Sequence, residues 1–376
     1  MFKAKHGDIS KRRPTLRGGG SAISIVLPTY NERENIKKVI ERIEKFMKQK
    51  CEIIVIDDNS SDGTADVAES LSQKYDNIKV IRRPRRLGLS SAVVDGINAA
   101  NNKMIAVTNP DMQYSLELLP KMVKIMENEN AQLVVASRYV PGGKIVGWSP
   151  LKRLVSRLAI GFSHFLLPQT RKVMDVESNF MLLKGKPKGV KFEKVTHSRF
   201  LIELLAKKPG LKVVEMPCTF THRGKSKSKL GISYLLSHAL FCLKLSKYRP
   251  VKFVAVGLSG VAILEVLLYL LVARGVPLFI ASALAIEASI LNNFIWNDIW
   301  TFKERRIKGI VSRCLKFHGV VALGTLTIYI TSLVLSYFFG VHYLLATFIG
   351  VFPGFIVNYL FSEEIVWKYE GTNFKS

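Results

Sequence analysis

The sequence predicts two unlike parts: a mostly parallel α/β sheet domain, then an all-α domain of four membrane-spanning helices. Three observations predict this. Charge is lopsided: of the net +26 on 376 residues, residues 251–376 hold 10 Lys+Arg against 7 Asp+Glu, leaving +23 for residues 1–250. Four apolar runs follow Pro250, each close to the ~20 residues a bilayer core demands. Before Pro250, short β-rich runs alternate with helical patterns, the signature of a doubly wound sheet. At 48% hydrophobic residues the chain is too apolar for disorder, and it is long enough for two or more domains. A single soluble domain is excluded.

Residues 1–22 carry Lys3, Lys5, Lys11, Arg12, Arg13 and Arg17 but no apolar h-region, so they do not read as a signal peptide. Gly18-Gly19-Gly20-Ser21 reads as a flexible linker, and the segment is expected to be a disordered basic arm or an appended stretch. Strands are expected at residues 23–27, 53–57, 79–82, 104–108 and 133–137. Helices are expected between them at 35–46, 64–74, 89–100 and 116–127.

Ligands of such sheets sit at the carboxyl ends of the strands. The first strand runs into Pro28-Thr29-Tyr30-Asn31-Glu32, and the second into Asp57-Asp58-Asn59-Ser60-Ser61-Asp62-Gly63-Thr64. The fourth runs into Asn109-Pro110-Asp111-Met112-Gln113. Each alone reads as a helix cap; Ser61 and Asp62 suit a helix beginning near Thr64. Three in order at strand ends point instead to one crevice. It suits hydrogen bonding of a base and ribose, and a divalent metal held on a diphosphate.

Residues 151–167 place Lys152, Arg153 and Arg157 among Leu154, Val155, Leu158, Ile160 and Phe162; residues 230–248 are mostly apolar and end on Lys244 and Lys247. Both read as amphipathic helices on an anionic membrane surface, or else as core helices. The spans are expected near 253–272, 277–295, 319–339 and 341–361. Glu265 and Glu287 fall inside the first two and should face the bundle interior or be protonated. The loop 303–316 carries six basic residues, whereas the hairpin tips carry only Arg274 and His342. By the positive-inside rule the loop, the large N-terminal body and both termini are expected in the cytoplasm. Lys252-Phe253 matches Lys316-Phe317 and Asn293-Phe294 matches Asn358-Tyr359, at offsets of 64 and 65, so the two hairpins look duplicated. Boundaries are expected at 1–22 (arm), 23–229 (sheet domain), 230–250 (interfacial helix) and 251–376 (membrane domain). Cys51, Cys218, Cys242 and Cys314 lack C-x-x-C spacing and indicate neither a zinc site nor a disulfide framework.

The run Pro28 to Glu32, the Asp57-Asp58-x-Ser-x-Asp-Gly-Thr segment, the Gly88-Leu89-Ser90-Ser91-Ala92 turn and Asp111-x-Gln113 resemble family 2 of the glycosyltransferases, in particular the dolichyl-phosphate mannose synthase type. The resemblance covers roughly residues 22–250. The stretch Asn292 to Phe302 resembles the GtrA-like membrane family, which accompanies enzymes that load sugars onto polyprenyl phosphates. The resemblance implies a GT-A fold and a sugar-nucleotide donor. It implies that Pro28, Tyr30, Glu32, Asp57 and Asp58 contact the nucleotide, with Asn109 beside them. It implies Mg2+ or Mn2+ at Asn109, Asp111 and Gln113. Arg138 and Arg153 would grip the lipid phosphate, and Arg223, Lys227 and Lys229 would close over the diphosphate. The chain departs from the family where Asn109 replaces the first Asp of Asp-x-Asp, where Glu177-Ser178-Asn179 replaces a Ser-Gly, and where Lys225 replaces a Glu. Asn109 removes one negative charge, so metal affinity should fall.

The implied reaction is inverting transfer of a hexose, foremost mannose from GDP-mannose, to a polyprenyl or dolichyl phosphate at the membrane. Loss of Asp111 or Arg138 is expected to stop turnover while leaving the fold intact. A UDP-sugar donor remains open, because nothing in the residue types separates guanine from uracil. A lipid-linked sugar translocator or scaffold with a degenerate transferase domain is the alternative of another class. Charge alone suggests nucleic acid, but no recognised binding motif or stacking platform accompanies it.

Overall fold

The computed structural model describes residues 23–47, 51–192, 199–222, 231–306 and 309–368. They form two compact units, Met1–Ala239 and Leu240–Ser376. In the first, the buried runs β1 (Ile23–Thr29), β2 (Cys51–Asp57) and β4 (Met104–Val107), and the partly exposed edge strand β3 (Ile78–Arg82), are joined by α1 (Arg33–Met47), α2 (Thr64–Lys74) and α3 (Leu89–Ala99). Then follow α4 (Leu119–Asn128), β5 (Leu133–Ser137), β6 (Lys144–Val146), α5 (Pro150–Leu166), β7 (Met181–Lys184), α6 (Phe200–Lys207), β8 (Val213–Pro217), β9 (Thr219–Thr221) and α7 (Ile232–Leu245), the last crossing the unit boundary.

The main sheet runs β3-β2-β1-β4-β7-β5-β8, parallel except for β7, and β6 pairs with β9 in a second, two-stranded sheet. Strand order reverses at β1: β2 and β3 lie on one side, β4 on the other. That reversal opens a crevice between the carboxyl ends of β1 and β4. Registers Thr29↔Asp57 and Val26↔Val107 keep the three strand ends close to level. Strands of β-branched and aliphatic residues, buried on both faces, suit a sheet covered by helices on each side. Gly96 brings α3 onto β1, since a Cβ there would lie 2.2 Å from Val26 Cγ1. All five expected strands are present, and β6, β7, β8 and β9 add to them.

In the second unit, α8 (Arg249–Ala273) pairs with α9 (Leu278–Trp296), and α10 (Ile310–Phe339) with α11 (Tyr343–Phe361). With the π-helical turns that extend α9 and α11, these are four helices long and apolar enough to cross a membrane. The third begins nine residues before the expected span, because helical hydrogen bonding continues through Arg313 and Lys316 beyond the apolar stretch. Part of the expected loop 303–316 is therefore helix.

The hairpins repeat each other. Asn293 fills the notch at Gly260, and Asn358 the one at Gly324; a Cβ at either glycine would clash with the amide at 2.3 or 2.0 Å. Small residues let the helices of each hairpin approach closely. Ion pairs cross between the repeats: Asp298 in the first binds Arg313 in the second at 2.9 Å, and Glu363 in the second binds Arg249 in the first at 3.1 Å. Phe302 and Trp367, equivalent by the 65-residue offset, stack at 4.5 Å. Of the two alternatives expected for Glu265 and Glu287, the structure corrects the first: neither faces the bundle interior, both lie on exposed faces, and Glu287 pairs with His318 at 3.2 Å. All four cysteines are free thiols.

Candidate active site

Three strand ends meet at the crevice, and each turns through a left-handed backbone position: Asn31 after β1 (φ 56), Asn59 after β2 (φ 61) and Met112 after β4 (φ 54). Asparagine tolerates this region; methionine there stores about 1 kcal/mol or more of strain. Such strain concentrates at functional sites.

The β1 and β2 turns are laced together. Asn31 N donates to Ser60 Oγ at 2.9 Å, Ser61 N to Asn31 Oδ1 at 3.1 Å, and Glu32 N to Thr64 Oγ1 at 2.9 Å. Asp57 is buried and holds its own turn, accepting from Ser60 N at 2.9 Å and Ser60 Oγ at 2.6 Å. Pro28 is buried within β1, opposite Ile56. Tyr30 is exposed, with the Arg86 guanidinium 4.0 Å over one ring face. Glu32 accepts from Asn35 Nδ2 at 2.7 Å. Burial pushes its carboxyl up, and the nearby charges of Asp111 and Asp62 push the same way. The β1 and β4 ends are thus electrostatically coupled across the switch point.

Asp58 departs from expectation. Its carboxylate is buried and accepts from Arg83 Nη1 at 2.7 Å, Leu87 N at 2.8 Å and Gly88 N at 2.8 Å. It braces the turn before α3 rather than facing a nucleotide, because the adjacent Arg83 and two open amides supply every donor it needs.

After β4, Asn109, Asp111 and Gln113 are all partly exposed. Asp111 Oδ1 accepts from Gln113 N at 3.1 Å, which aligns the loop. Gln113 O accepts from Thr221 N at 3.0 Å, and Tyr114 bridges to Phe220. The loop therefore lies against β9. Among the described residues no three His, Cys, Asp or Glu side chains cluster as a complete metal cage. One carboxylate and neighbouring amide oxygens fit a hard cation that keeps waters and takes its other ligands from substrate phosphates. Arg223, Lys227 and Lys229, which follow β9, lie outside the described residues.

Arg138 also departs from expectation. Its guanidinium forms a fork with Asp175, Nε to Oδ2 at 2.8 Å and Nη2 to Oδ1 at 2.7 Å, with the two side chains 5% and 0% exposed. Trp148 and Phe220 flank it at 5.4 and 5.5 Å. Removing Arg138 would strand a buried carboxylate, so its loss cannot leave the fold untouched. Nη1 has no hydrogen-bond partner among the described residues, and this one edge stays available to an anion. Arg153 is exposed on α5 and donates from Nη2 to Ile145 O at 3.1 Å.

The exposed face of α5 shows Leu151, Leu154, Leu158 and Phe162 beside Arg153 and Arg157, while Val155, Ala159 and Ile160 face the core. This helix therefore packs one face into the core and leaves an apolar and basic face exposed. Sequence reasoning missed Asp175 and the polar chain beside it. Glu177 accepts from Ser156 Oγ at 3.1 Å and from the Tyr234 hydroxyl, and His238 Nε2 meets Ser163 Oγ at 2.8 Å. These contacts tie α5 to the first turns of α7. No periodicity could reveal partners 21 to 75 residues apart.

Residues 24–186 match the glycosyl transferase family 2, and residues 252–367 match the GtrA/DPMS transmembrane domain. A dolichol-phosphate mannosyltransferase of Pyrococcus furiosus is 39% identical over 352 residues, spanning 92% of this chain and 99% of that protein. The chain belongs to the dolichol-phosphate mannosyltransferase family. A polyprenol monophosphomannose synthase of Mycolicibacterium smegmatis is 32% identical, over 58% of this chain and 83% of that one. Among solved structures, glucosyl-3-phosphoglycerate synthase of Mycobacterium tuberculosis, in complex with Mn2+, UDP-glucose and phosphoglyceric acid, aligns at TM-score 0.46 and 19% identity, over 61% of this chain and 80% of that one. The chain is a membrane-embedded glycosyltransferase with a GT-A sheet domain.

Proposed function

We propose that this protein transfers mannose from GDP-mannose to a polyprenyl phosphate, with inversion at the anomeric carbon. The observation that carries the reading is the meeting of the β1, β2 and β4 ends at the switch point, in a chain that also bears four spans. Membership of a family of dolichol-phosphate mannosyltransferases supports mannose and a polyprenyl phosphate over a UDP-sugar or a translocator.

Tyr30 and Glu32 are assigned to the nucleoside, Tyr30 by its exposed ring, with Pro28 and Asp57 shaping the pocket floor. Asn109, Asp111 and Gln113 would hold Mg2+ or Mn2+, which supplies neutralising charge for the departing diphosphate. Arg223, Lys227 and Lys229 would add to it from the segment after β9. The acceptor phosphate is already anionic near neutral pH and needs little base assistance. What remains is positioning: Arg153 and the open edge of Arg138 orient the phosphate for in-line attack. The nucleophilic oxygen bonds to the anomeric carbon as the diphosphate oxygen leaves, so an α-linked donor gives a β-linked product. The apolar and basic face of α5 suits the membrane surface from which the acceptor comes. The six basic residues of 303–316 support a cytoplasmic side for that face and for both ends of the chain.

The test uses the full chain in detergent with dolichyl phosphate, Mn2+ or Mg2+, and labelled GDP-mannose and UDP-glucose in parallel. Label in the organic phase from GDP-mannose, lost in Asp111→Ala, is the expected result. Transfer from UDP-glucose alone would overturn the donor, and full activity of Asp111→Ala the site.

A further inference from the structure

At one end of the membrane unit, between the start of α8 and the segment that follows α9, lies a pocket of about 320 Å3. Five cations surround it: Lys247, Arg249, Lys252, Lys303 and Arg305. Two carboxylates oppose them. Glu304 lies on the rim, paired with Lys247. Glu363 lies behind, and a single oxygen of it serves both Arg249 at 3.1 Å and Arg305 at 2.9 Å. The balance is therefore three positive charges. Arg249 is 8% exposed, and its buried Nε has no hydrogen-bond partner among the described residues. Concentrated, partly desolvated positive charge is costly unless an anion answers it.

The position says which anion. Pocket walls come from the first turn of one span and the last turn of the next, the depth at which a bilayer presents its phosphates. Trp300 lines the pocket with its indole exposed and the Lys252 ammonium 5.7 Å over the ring, an arrangement suited to the membrane interface. Basic pockets between spans at this level bind lipid head groups. A volume near 320 Å3 falls at the small end of ligand sites, about 300–1,000 Å3, and suits a head group with its acyl chains left outside.

We propose that this pocket binds the phosphate head group of an anionic bilayer phospholipid. None of the residues that line it belongs to the transferase crevice, and binding there can be read without any turnover. Duplication of the hairpins supplies an internal control. Lys316 and Lys368 are the offset equivalents of Lys252 and Lys303, and neither lines the pocket.

Native mass spectrometry of the full chain in detergent should resolve bound phosphatidylglycerol, phosphatidylcholine and farnesyl phosphate. Phosphatidylglycerol is expected to bind at least about ten-fold tighter than phosphatidylcholine. The Lys252→Gln/Lys303→Gln variant should weaken it roughly ten- to thirty-fold, and Lys316→Gln/Lys368→Gln should leave it unchanged. Equal losses in both variants would mean generic surface charge and overturn the proposal, as would no loss in either. Loss of farnesyl phosphate with phosphatidylglycerol retained would give the pocket to a prenyl phosphate and likewise overturn it. Melting curves in lipid-free detergent check folding; if the double variant fails to fold, Lys303→Gln, at an exposed position, carries the same comparison.

Discussion

Replacing Asp175 by Asn removes the charge opposite Arg138 with almost no change of volume. The pair is closed: 5% and 0% exposure leave little water to screen the guanidinium once its partner is neutral. Asp175 also accepts from the Arg138 backbone N–H at 2.8 Å, so the substitution weakens three contacts at once. Breaking a buried ion pair from one side costs about 3–5 kcal/mol. For a unit of this size each kcal/mol moves the midpoint about 2–4 °C, so the sheet unit should melt roughly 6–20 °C lower. Differential scanning of the full chain reads this as a shift confined to the transition of that unit. The companion variant Arg138→Met/Asp175→Leu removes both charges, and apolar replacements of a buried pair are often neutral or better. It should melt near the parent and transfer no mannose. A shift under about 2 °C for Asp175→Asn, or a double variant less stable than the single, would refute the argument that charge burial governs this site.

Three further outcomes are expected. Gly96→Ala gains about 1 kcal/mol of helix propensity but drives a methyl to 2.2 Å from Val26 Cγ1; urea denaturation should show a net loss of about 2 kcal/mol. Burial, reinforced by the charge of Arg199, holds His238 down to about 4 against an ordinary 6.5. Between those values the unfolded chain binds the extra proton, so stability falls as pH is lowered through the window, by up to about 3 kcal/mol. The neighbouring Glu177, raised by its own burial, contributes with the opposite sign. The measurement is therefore the difference between parent and His238→Gln melting curves at pH 7 and pH 4.5, and equal curves would contradict it. Asn109→Asp restores a second carboxylate at the β4 end. The metal concentration giving half-maximal transfer should drop several-fold, and an unchanged value would remove Asn109 from the metal site.

Legibility followed interaction range. β1, β2, β4 and β5 could be read because strands buried on both faces write themselves as continuous apolar runs. The helices α1 to α3 were bounded to within two residues by their periodicity. β7 and β8 were not read: four or five residues carry too little pattern, and the antiparallel place of β7 between β4 and β5 is a long-range pairing that no local pattern records. At the site, Asp57, Asp58 and Arg138 all stood out by position in sequence. Whether each faces a ligand or the interior depended on Ser60, Arg83 and Asp175, whose proximity arises from folding alone.

Sequence alone determined the division into a basic sheet domain and four spans, the placing of polar residues at strand ends, and the duplication of the hairpins. Each of these is encoded by local period, composition or repeat. Tertiary structure decided which carboxylates are braces and which stay open, that Glu265 lies on an exposed face, and that ion pairs cross between the two repeats. The physical reason is that burial and charge compensation are properties of pairs. The members of these pairs stand far apart along the chain and acquire their energies only when the fold brings them within a few ångströms.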